Sequence, residues 1–388
     1  MLALGLDGKL PNFRVDLDRL PRAVDLVLEI TRQNYPSFAV PFHSRWRHFV
    51  FDGEDRWVLL DKTAKWRDST ARVRAAFDLA IVSVLLDAGA GPQWRYRDPR
   101  SGKAIGRSQG LALASLDMFA AGAFSSDPTA PLQADAEGLA RFSDAALARG
   151  FQVSKANPLV GSEGRADLLR RLGGLIAGKP EIFGRHDRPR PGGLFDQFAA
   201  LAPDHKIAAP VILSELLRHL GPIWPSRLTL GGVPLGDCWH HPSLTTTDAT
   251  NGLIPLHKLS QWLAYSLIEP LQWAGLHVSE IDGLTGLSEY RNGGLFIDTA
   301  VLQLRDQADF SREHEVDSDL VVEWRALTVA LLDRLADEMR RHLDLDRTTL
   351  PLAKILEGGT WSAGRTIARE LRADGAPPLK VISDGTVF

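Results

Sequence analysis

Apolar positions recur at steps of three and four over five long stretches of the chain, and each stretch reads as a helix. Residues 72–89, "RVRAAFDLAIVSVLLDAG", end in the glycine expected just past a helix C-terminus. Residues 135–150 open on Asp135, a suitable N-cap, and close on Gly150. A third helix starts at Ser162, with Glu163 near the positive end of the dipole, and stops at Gly178-Lys179-Pro180. From Ser318 to Leu343, the positions Leu320, Trp324, Leu327, Leu331, Leu335 and Met339 form one apolar stripe. The fifth stretch is residues 256–275, "LHKLSQWLAYSLIEPLQWAG". Its Leu256, Leu259, Leu263 and Leu267 fall within about 80° of one another at ~100° per residue, with Lys258, Trp262, Tyr265 and Glu269 on the opposite side. Pro270 should kink or stop that helix.

Strand signals are few. Residues 47–51 ("RHFVF") and 56–60 ("RWVLL") predict one short β-hairpin near the N-terminus, turning at Asp52-Gly53-Glu54-Asp55. No internal repeat is visible. Residues 184–193, "GRHDRPRPGG", are the most loop-like stretch and the best candidate for a mobile segment, without the character of a domain linker. The pattern therefore predicts one mostly α domain over residues 1–388, with a two-lobed arrangement as the alternative. The opening "LALGLDGKLPNFRVD" reads as mid-element with no N-cap before it, which suggests an upstream segment is missing.

Composition narrows the function classes. Charged residues make up 24% and hydrophobic ones 44%, an ordinary globular balance, and the net charge of -3 gives no support for binding a nucleic-acid polymer. The one cysteine, Cys238, excludes an internal disulfide and any cysteine-rich zinc site. No apolar run is long enough to span a membrane, and the N-terminus lacks the features of a secretion signal, so a cytoplasmic protein is expected.

Four segments could carry chemistry. The Lys258, Trp262, Tyr265 and Glu269 face holds two large aromatic rings that want either core burial or a planar ligand. Residues 277–298, "HVSEIDGLTGLSEYRNGGLFID", combine the carboxylates Asp282, Glu289 and Asp298 with Tyr290, Arg291 and four glycines. Neighbouring carboxylates suit glycosidic cleavage, one at an oxocarbenium-like centre and another on hydroxyls or water, although glycine-rich acidic turns are common without any such role. In "PFHSRWRHFVF", His43, Arg45, Arg47 and His48 surround Trp46; this suits a phosphate and a stacked ring, or equally an edge strand guarded by basic side chains. In "LEGGTWSAGRTIA", Gly358 and Gly359 precede an expected helix start at Thr360, an arrangement open to anions, with Trp361 and Arg365 one turn apart. Neither a phosphate-loop nor a dinucleotide fingerprint is present, so no cofactor is expected. A metal reading would fall on Asp237, Cys238, His240, His241 and Asp248, but their spacing fits no strong zinc signature and no metal is expected. The terminal "SDGTVF" ends apolar, which predicts that it tucks into the fold.

The blocks "PFHSRWRHF", "LLDAGAGPQWRY", "RSQGLALASLDMF", "GFQVSKANPL", "HKLSQWLAYSLIEPLQWAG", "IDGLTGLSEYRNGGLFIDT", "EGGTWSAGR" and "SDGTVF" together resemble the uracil-catabolism family of fungi and bacteria. That family long carried only an unknown-function label and belongs to a pathway that opens uracil and releases urea. The resemblance implies a small, phosphorylated ribosyl substrate, for which an N-ribosidic hydrolase acting on ribosylurea 5-phosphate would fit. "LTGLSEYRNG" is also similar to the acidic-Tyr-Arg segment of the queuosine-salvage glycosidases, which implies a DNA-glycosylase-like helical fold with Glu289 as the acidic active-site residue. Here the acid is Glu rather than Asp, and Asn292-Gly293 replace a Val-Pro pair. On this reading Glu289 is nucleophile or base, Asp282 or Asp298 holds the ribose hydroxyls, and Trp46, Trp262 or Tyr265 walls the leaving group. His43, Arg45, Lys258 and Arg291 are the phosphate donors, with Tyr290, Trp361 and Arg365 as further binding residues. Two alternatives stay open: a metal-dependent amidohydrolase of the same pathway, and a regulator that binds uracil nucleotides without turning them over.

Overall fold

At the centre lies a helix that no face leaves to water. Asp68 starts it by accepting the Ala71 N–H at 2.7 Å, and the helix then runs Ser69–Leu85 with every side chain from Val73 to Leu85 buried. A helix apolar on all sides must be surrounded, and this one packs against Arg107–Ala120 and Lys258–Trp273. The computed structural model describes residues 1–184, 188–224 and 226–382. Over these the protein is mostly α, and no sheet among the described residues is wider than two strands. One contiguous apolar core runs from Leu10 to Leu379.

Most of the expected helices are present, with instructive differences. Ser162–Ala177 and Asp319–Leu343 stand where the periodicity puts them, and all six residues of the 320–339 stripe are buried. The central helix ends at Leu85 rather than continuing to Gly89. There the fully buried Arg165 guanidinium donates to the carbonyls of Leu86, Ala88 and Gly89, bonds that release the backbone from helical pairing. The expected 135–150 helix is two short ones, Ala136–Ala140 and Asp144–Gly150, because Ser143 caps a fresh start through the Ala146 N–H. Helix Lys258–Trp273 does not stop at Pro270 but contains it.

The predicted hairpin shrinks to Val50–Phe51 against Glu54–Asp55. Its flanks are helical, Arg45–Phe49 as a 3-10 turn and Arg56–Thr63 capped by Asp55, so no edge strand of basic residues forms. Part of the 184–193 stretch, Arg185 to Asp187, lies outside the described residues, as does the terminal "SDGTVF". Residues 190–193 are firmly packed: Arg190 and the Gly192 N–H both donate to the fully buried Asp78. A Cβ on Gly192 would stand 2.3 Å from the Arg74 carbonyl oxygen, which explains the glycine there by close approach.

Three pairings tie distant parts of the chain. Phe13–Val15 runs antiparallel to Leu302–Leu304, with Phe13 opposite Leu304. Lys206–Ala208 runs parallel to His277–Ser279, and Glu313–Glu315 parallel to Lys380–Ile382. The first is locked by Glu323, which accepts from the Phe13 N–H at 2.8 Å and from Asn12 at 3.0 Å.

Candidate active site

A cavity of about 510 Å³ opens between the loop that follows the central helix, the start of Arg107–Ala120, and the helices Lys258–Trp273, Tyr290–Asp298 and Trp361–Leu371. Its volume suits a small organic ligand. Of the residues singled out in the sequence, His43, Lys258, Trp262, Glu289, Tyr290, Arg291 and Trp361 line it.

Glu289 owes its position to helix capping. It is the N-cap of Tyr290–Asp298, and its carboxylate accepts the N–H groups of Arg291 at 2.8 Å and Asn292 at 2.5 Å. Each oxygen is thereby fixed, in a role more often filled by Ser, Thr, Asp or Asn. Burial pushes its pKa up, and the two backbone donors with Lys258 and Arg291 only partly offset this. The charges of Asp237, Glu289 and Asp87 favour the charged form of Lys258, yet burial and Arg325 lower its pKa to about 8.

The opposite wall is aromatic. Trp262 stacks on His43 with ring centres 6.1 Å apart, and the buried Arg45 guanidinium lies 5.5 Å from the indole on another side. The Trp262 ring N–H is buried without a hydrogen-bond partner. His43 is oriented by Glu357, whose carboxylate lies 2.8 Å from Nδ1 and also accepts from the Tyr35 hydroxyl at 3.1 Å. Burial would raise the Glu357 pKa, but His43, His48 and the Tyr35 hydroxyl together outweigh it and the net shift is downward. His48, also in the wall, is kept neutral: burial, together with Arg45 and His43, lowers its pKa to about 3.

Several expected residues are not brought to Glu289. Asp282 pairs with Arg340 and accepts the Leu352 N–H, and Asp298 pairs with Arg372; neither lines the cavity, because each is held by its own partner on a distant element. Tyr265 is fully buried, its hydroxyl donating to the Thr285 carbonyl at 3.0 Å. Trp46 donates to the Ser266 carbonyl and packs among Phe49, Trp57 and Trp273 as core. Arg45 sits behind the wall, 3.1 Å from Asp87, rather than in it. Arg365 stands beside the cavity with its guanidinium 5.6 Å from the Trp361 ring.

The expected helix start at Thr360 does not exist. Helix Leu352–Ile355 runs on through a π turn, Leu356–Thr360, into Trp361–Leu371, so the amides behind Gly358 and Gly359 offer no helix N-terminus to an anion. Those glycines serve packing instead, since a Cβ on Gly359 would meet the Thr31 hydroxyl at 2.5 Å. The π turn carries Glu357 to His43, in line with the frequent use of such turns at functional sites.

The donors of the metal reading do not converge. Among the described residues no group of three or more His, Cys, Asp or Glu side chains is placed to hold an ion. Asp237 is bound by Arg325 through both oxygens and accepts the Lys258 N–H, which fixes the start of the 258–273 helix. Cys238 is buried, and burial beside Asp237 raises its pKa to about 11.

Sequence reasoning missed Asp87, Arg107 and Glu357, whereas His48, named with the basic cluster around Trp46, does line the cavity. Asp87 reads as the tail of a helix, and only the following "GAGP" hints at a loop that could meet a ligand. Arg107 opens its helix with a left-handed φ of 58°, a conformation that nothing local in the sequence announces.

A helical protein with an internal cavity of small-molecule size, walled by carboxylates, arginines and aromatic rings, is the class that fold and site define. The chain belongs to the family described as "Protein of unknown function (DUF1688)", which matches it over residues 1–388. It is 41% identical over 389 residues to "Protein urg3" of Schizosaccharomyces pombe, covering 98% of this chain and 92% of that one. It is 36% identical over 417 residues to "Uracil catabolism protein 4" of Lachancea kluyveri, covering 98% and 93%. Among the described residues no helix is long and apolar enough to cross a membrane.

Proposed function

We propose that the protein acts in uracil catabolism by hydrolysing the N-ribosidic bond of a 5-phosphorylated, uracil-derived ribosyl compound, such as ribosylurea 5-phosphate to urea and ribose 5-phosphate. The name of the Lachancea relative supports the pathway. One observation carries the chemistry: a half-buried glutamate, fixed by two backbone N–H groups, faces a cavity whose other side holds a histidine bonded to a carboxylate. The mostly helical fold is in keeping with the glycosylase-like architecture that the 284–293 segment implies.

In this reading water adds its oxygen to C1 and gives its proton to Glu289. The C1–N bond breaks with its electron pair going to nitrogen, and His43 supplies the proton that makes a neutral leaving group. A base role suits Glu289 better than a nucleophilic one, since an ester at either oxygen would weaken a bond to Arg291 or Asn292. His43 is favoured over His48 as donor because His48 stays neutral in its buried setting. Asp87 takes the place expected of Asp282 or Asp298, a cavity carboxylate free to accept from ribose hydroxyls while held by Arg45. Trp262 walls the planar leaving group, and its ring N–H is free to donate to a urea carbonyl.

Release of ribose 5-phosphate from ribosylurea 5-phosphate, UMP and uridine, each with and without a chelator, tests the reading and names the leaving group. Glu289→Gln should lower kcat by about 10³-fold or more while leaving substrate binding within a few-fold, as charge at the reacting carbon develops in the transition state. Unimpaired turnover in that variant would sink the assignment.

A further inference from the structure

The sequence reading distributes the phosphate over His43, Arg45, Lys258 and Arg291, yet Arg45 is turned away to Asp87 and Lys258 to the carboxylates. A different group of cations forms no ion pair with a carboxylate among the described residues. Arg107 and Arg291 both line the cavity, the first from the start of the Arg107–Ala120 helix and the second from the first turn of Tyr290–Asp298. Arg365 joins them from the Trp361–Leu371 helix, laid over the Trp361 ring that also lines the cavity. We propose that Arg107, Arg291 and Arg365 form the subsite for a phosphate monoester, at the end of the cavity marked by Tyr290 and Trp361.

Three observations support it. Among the described residues, no carboxylate forms an ion pair with any of the three guanidiniums, although nearly every other buried arginine has a carboxylate or several carbonyls. Each also carries a buried N–H without a partner: Nη1 of Arg107, Nε of Arg291 and Nε of Arg365. Arg291 is only 3% exposed; its Nη1 donates to the Gly375 carbonyl at 2.9 Å and the guanidinium also meets the Tyr290 side chain, which leaves Nε unpartnered. Uncompensated buried cations are costly and rarely retained without a counter-charge. Their own repulsion is evident: burial and the neighbouring guanidiniums lower the pKa of Arg107 and bring that of Arg365 to about 10. A dianion relieves that repulsion and can accept from three planar forks at once.

Packing fixes the spacing of the group. A Cβ on Gly364 would stand 2.1 Å from the Arg291 carbonyl oxygen, so only glycine allows the two helices that carry Arg291 and Arg365 to approach so closely. The anion end and the Glu289 end are therefore built on one helix, Arg291 following Glu289 by two residues. This placement rests on the ribosidase reading for what occupies the rest of the cavity, but not for the anion itself.

Titration calorimetry of the full chain with ribose 5-phosphate, ribose and inorganic phosphate tests the subsite directly. Wild type should bind ribose 5-phosphate at least about 100-fold more tightly than ribose, with inorganic phosphate competing. Arg107→Gln and Arg365→Gln should each weaken ribose 5-phosphate binding about 10- to 100-fold, without weakening ribose and with a Tm in the absence of ligand no lower than that of wild type. Equal binding of the two sugars by wild type, no binding of either, or unweakened ribose 5-phosphate binding in both variants overturns the subsite. If the variants fail to fold, the wild-type comparison and the phosphate competition decide alone. Arginine-dependent binding without turnover of ribosylurea 5-phosphate or UMP would leave the subsite standing and remove the hydrolase. Equal turnover of uridine and UMP would do the reverse.

Discussion

Lys258 shows how one side chain can serve a site at the expense of the fold. Its pKa falls from the ordinary lysine range to about 8, chiefly through burial, so at pH 7 it is charged where charge is disfavoured. A base whose folded pKa lies below its unfolded one contributes stability above the unfolded value and loses it as pH falls through the folded value. Between about 10.5 and 8, therefore, falling pH should cost the wild type stability that Lys258→Met keeps. After discounting for the cavity-facing surface, Lys258→Met should be more stable by roughly 1–3 kcal/mol at pH 7, the gain vanishing near pH 10.5. Urea unfolding at both pH values checks this, and a pH-independent difference would show that burial of the charge is not the cause. At this scale much of the site could be read in advance: Glu289, Tyr290 and Arg291 from one acidic-aromatic-basic run, and Lys258 with Trp262 from a polar face unsuited to water. Asp282 and Asp298 could not be told apart from Glu289, since the arginines that claim them, Arg340 and Arg372, lie far along the chain.

Among the elements, the segment after the last long helix matters most to the cavity. Asp374, Ala376, Pro377, Leu379 and Val381 form part of its wall, and that segment has almost no regular structure before Lys380. What holds it is a set of arginines: Arg372 binds both Asp298 and the Ala376 carbonyl, and Arg291 binds the Gly375 carbonyl. Asp298 thus positions a wall rather than a reactant. Asp298→Asn should raise KM several-fold with a smaller change in kcat and cost about 1–3 kcal/mol of stability. Steady-state kinetics beside Glu289→Gln separate the roles, because a catalytic Asp298 would lose kcat instead. The elements themselves followed their periodicity where a stripe was long, as in Asp319–Leu343. They departed where a remote side chain intervened, as Arg165 does at the end of Ser69–Leu85, or where packing needed a π turn across Gly358 and Gly359.

Across the whole molecule, contacts of very long sequence range hold the parts together. The buried Glu323, near the start of Asp319–Leu343, is satisfied largely by Asn12 and Phe13 at the other end of the chain. Deleting residues 1–15 would remove both donors, the strand partner of Leu302–Leu304 and the fully buried Phe13 ring. The deletion should cost at least about 4 kcal/mol, by loss of apolar burial and by stranding a buried carboxylate. A denaturation midpoint within error of the intact chain would refute the tie. The cavity is equally dispersed, its walls coming from residues as far apart as His43 and Val381. During synthesis, then, no nascent chain that stops short of Val381 has the whole wall with which to enclose a ligand, and non-local closure of this kind is slow. Ligand capture therefore marks the end of folding: a ribosome-bound chain or an internal fragment can hold most of its helices and still be blind to the substrate.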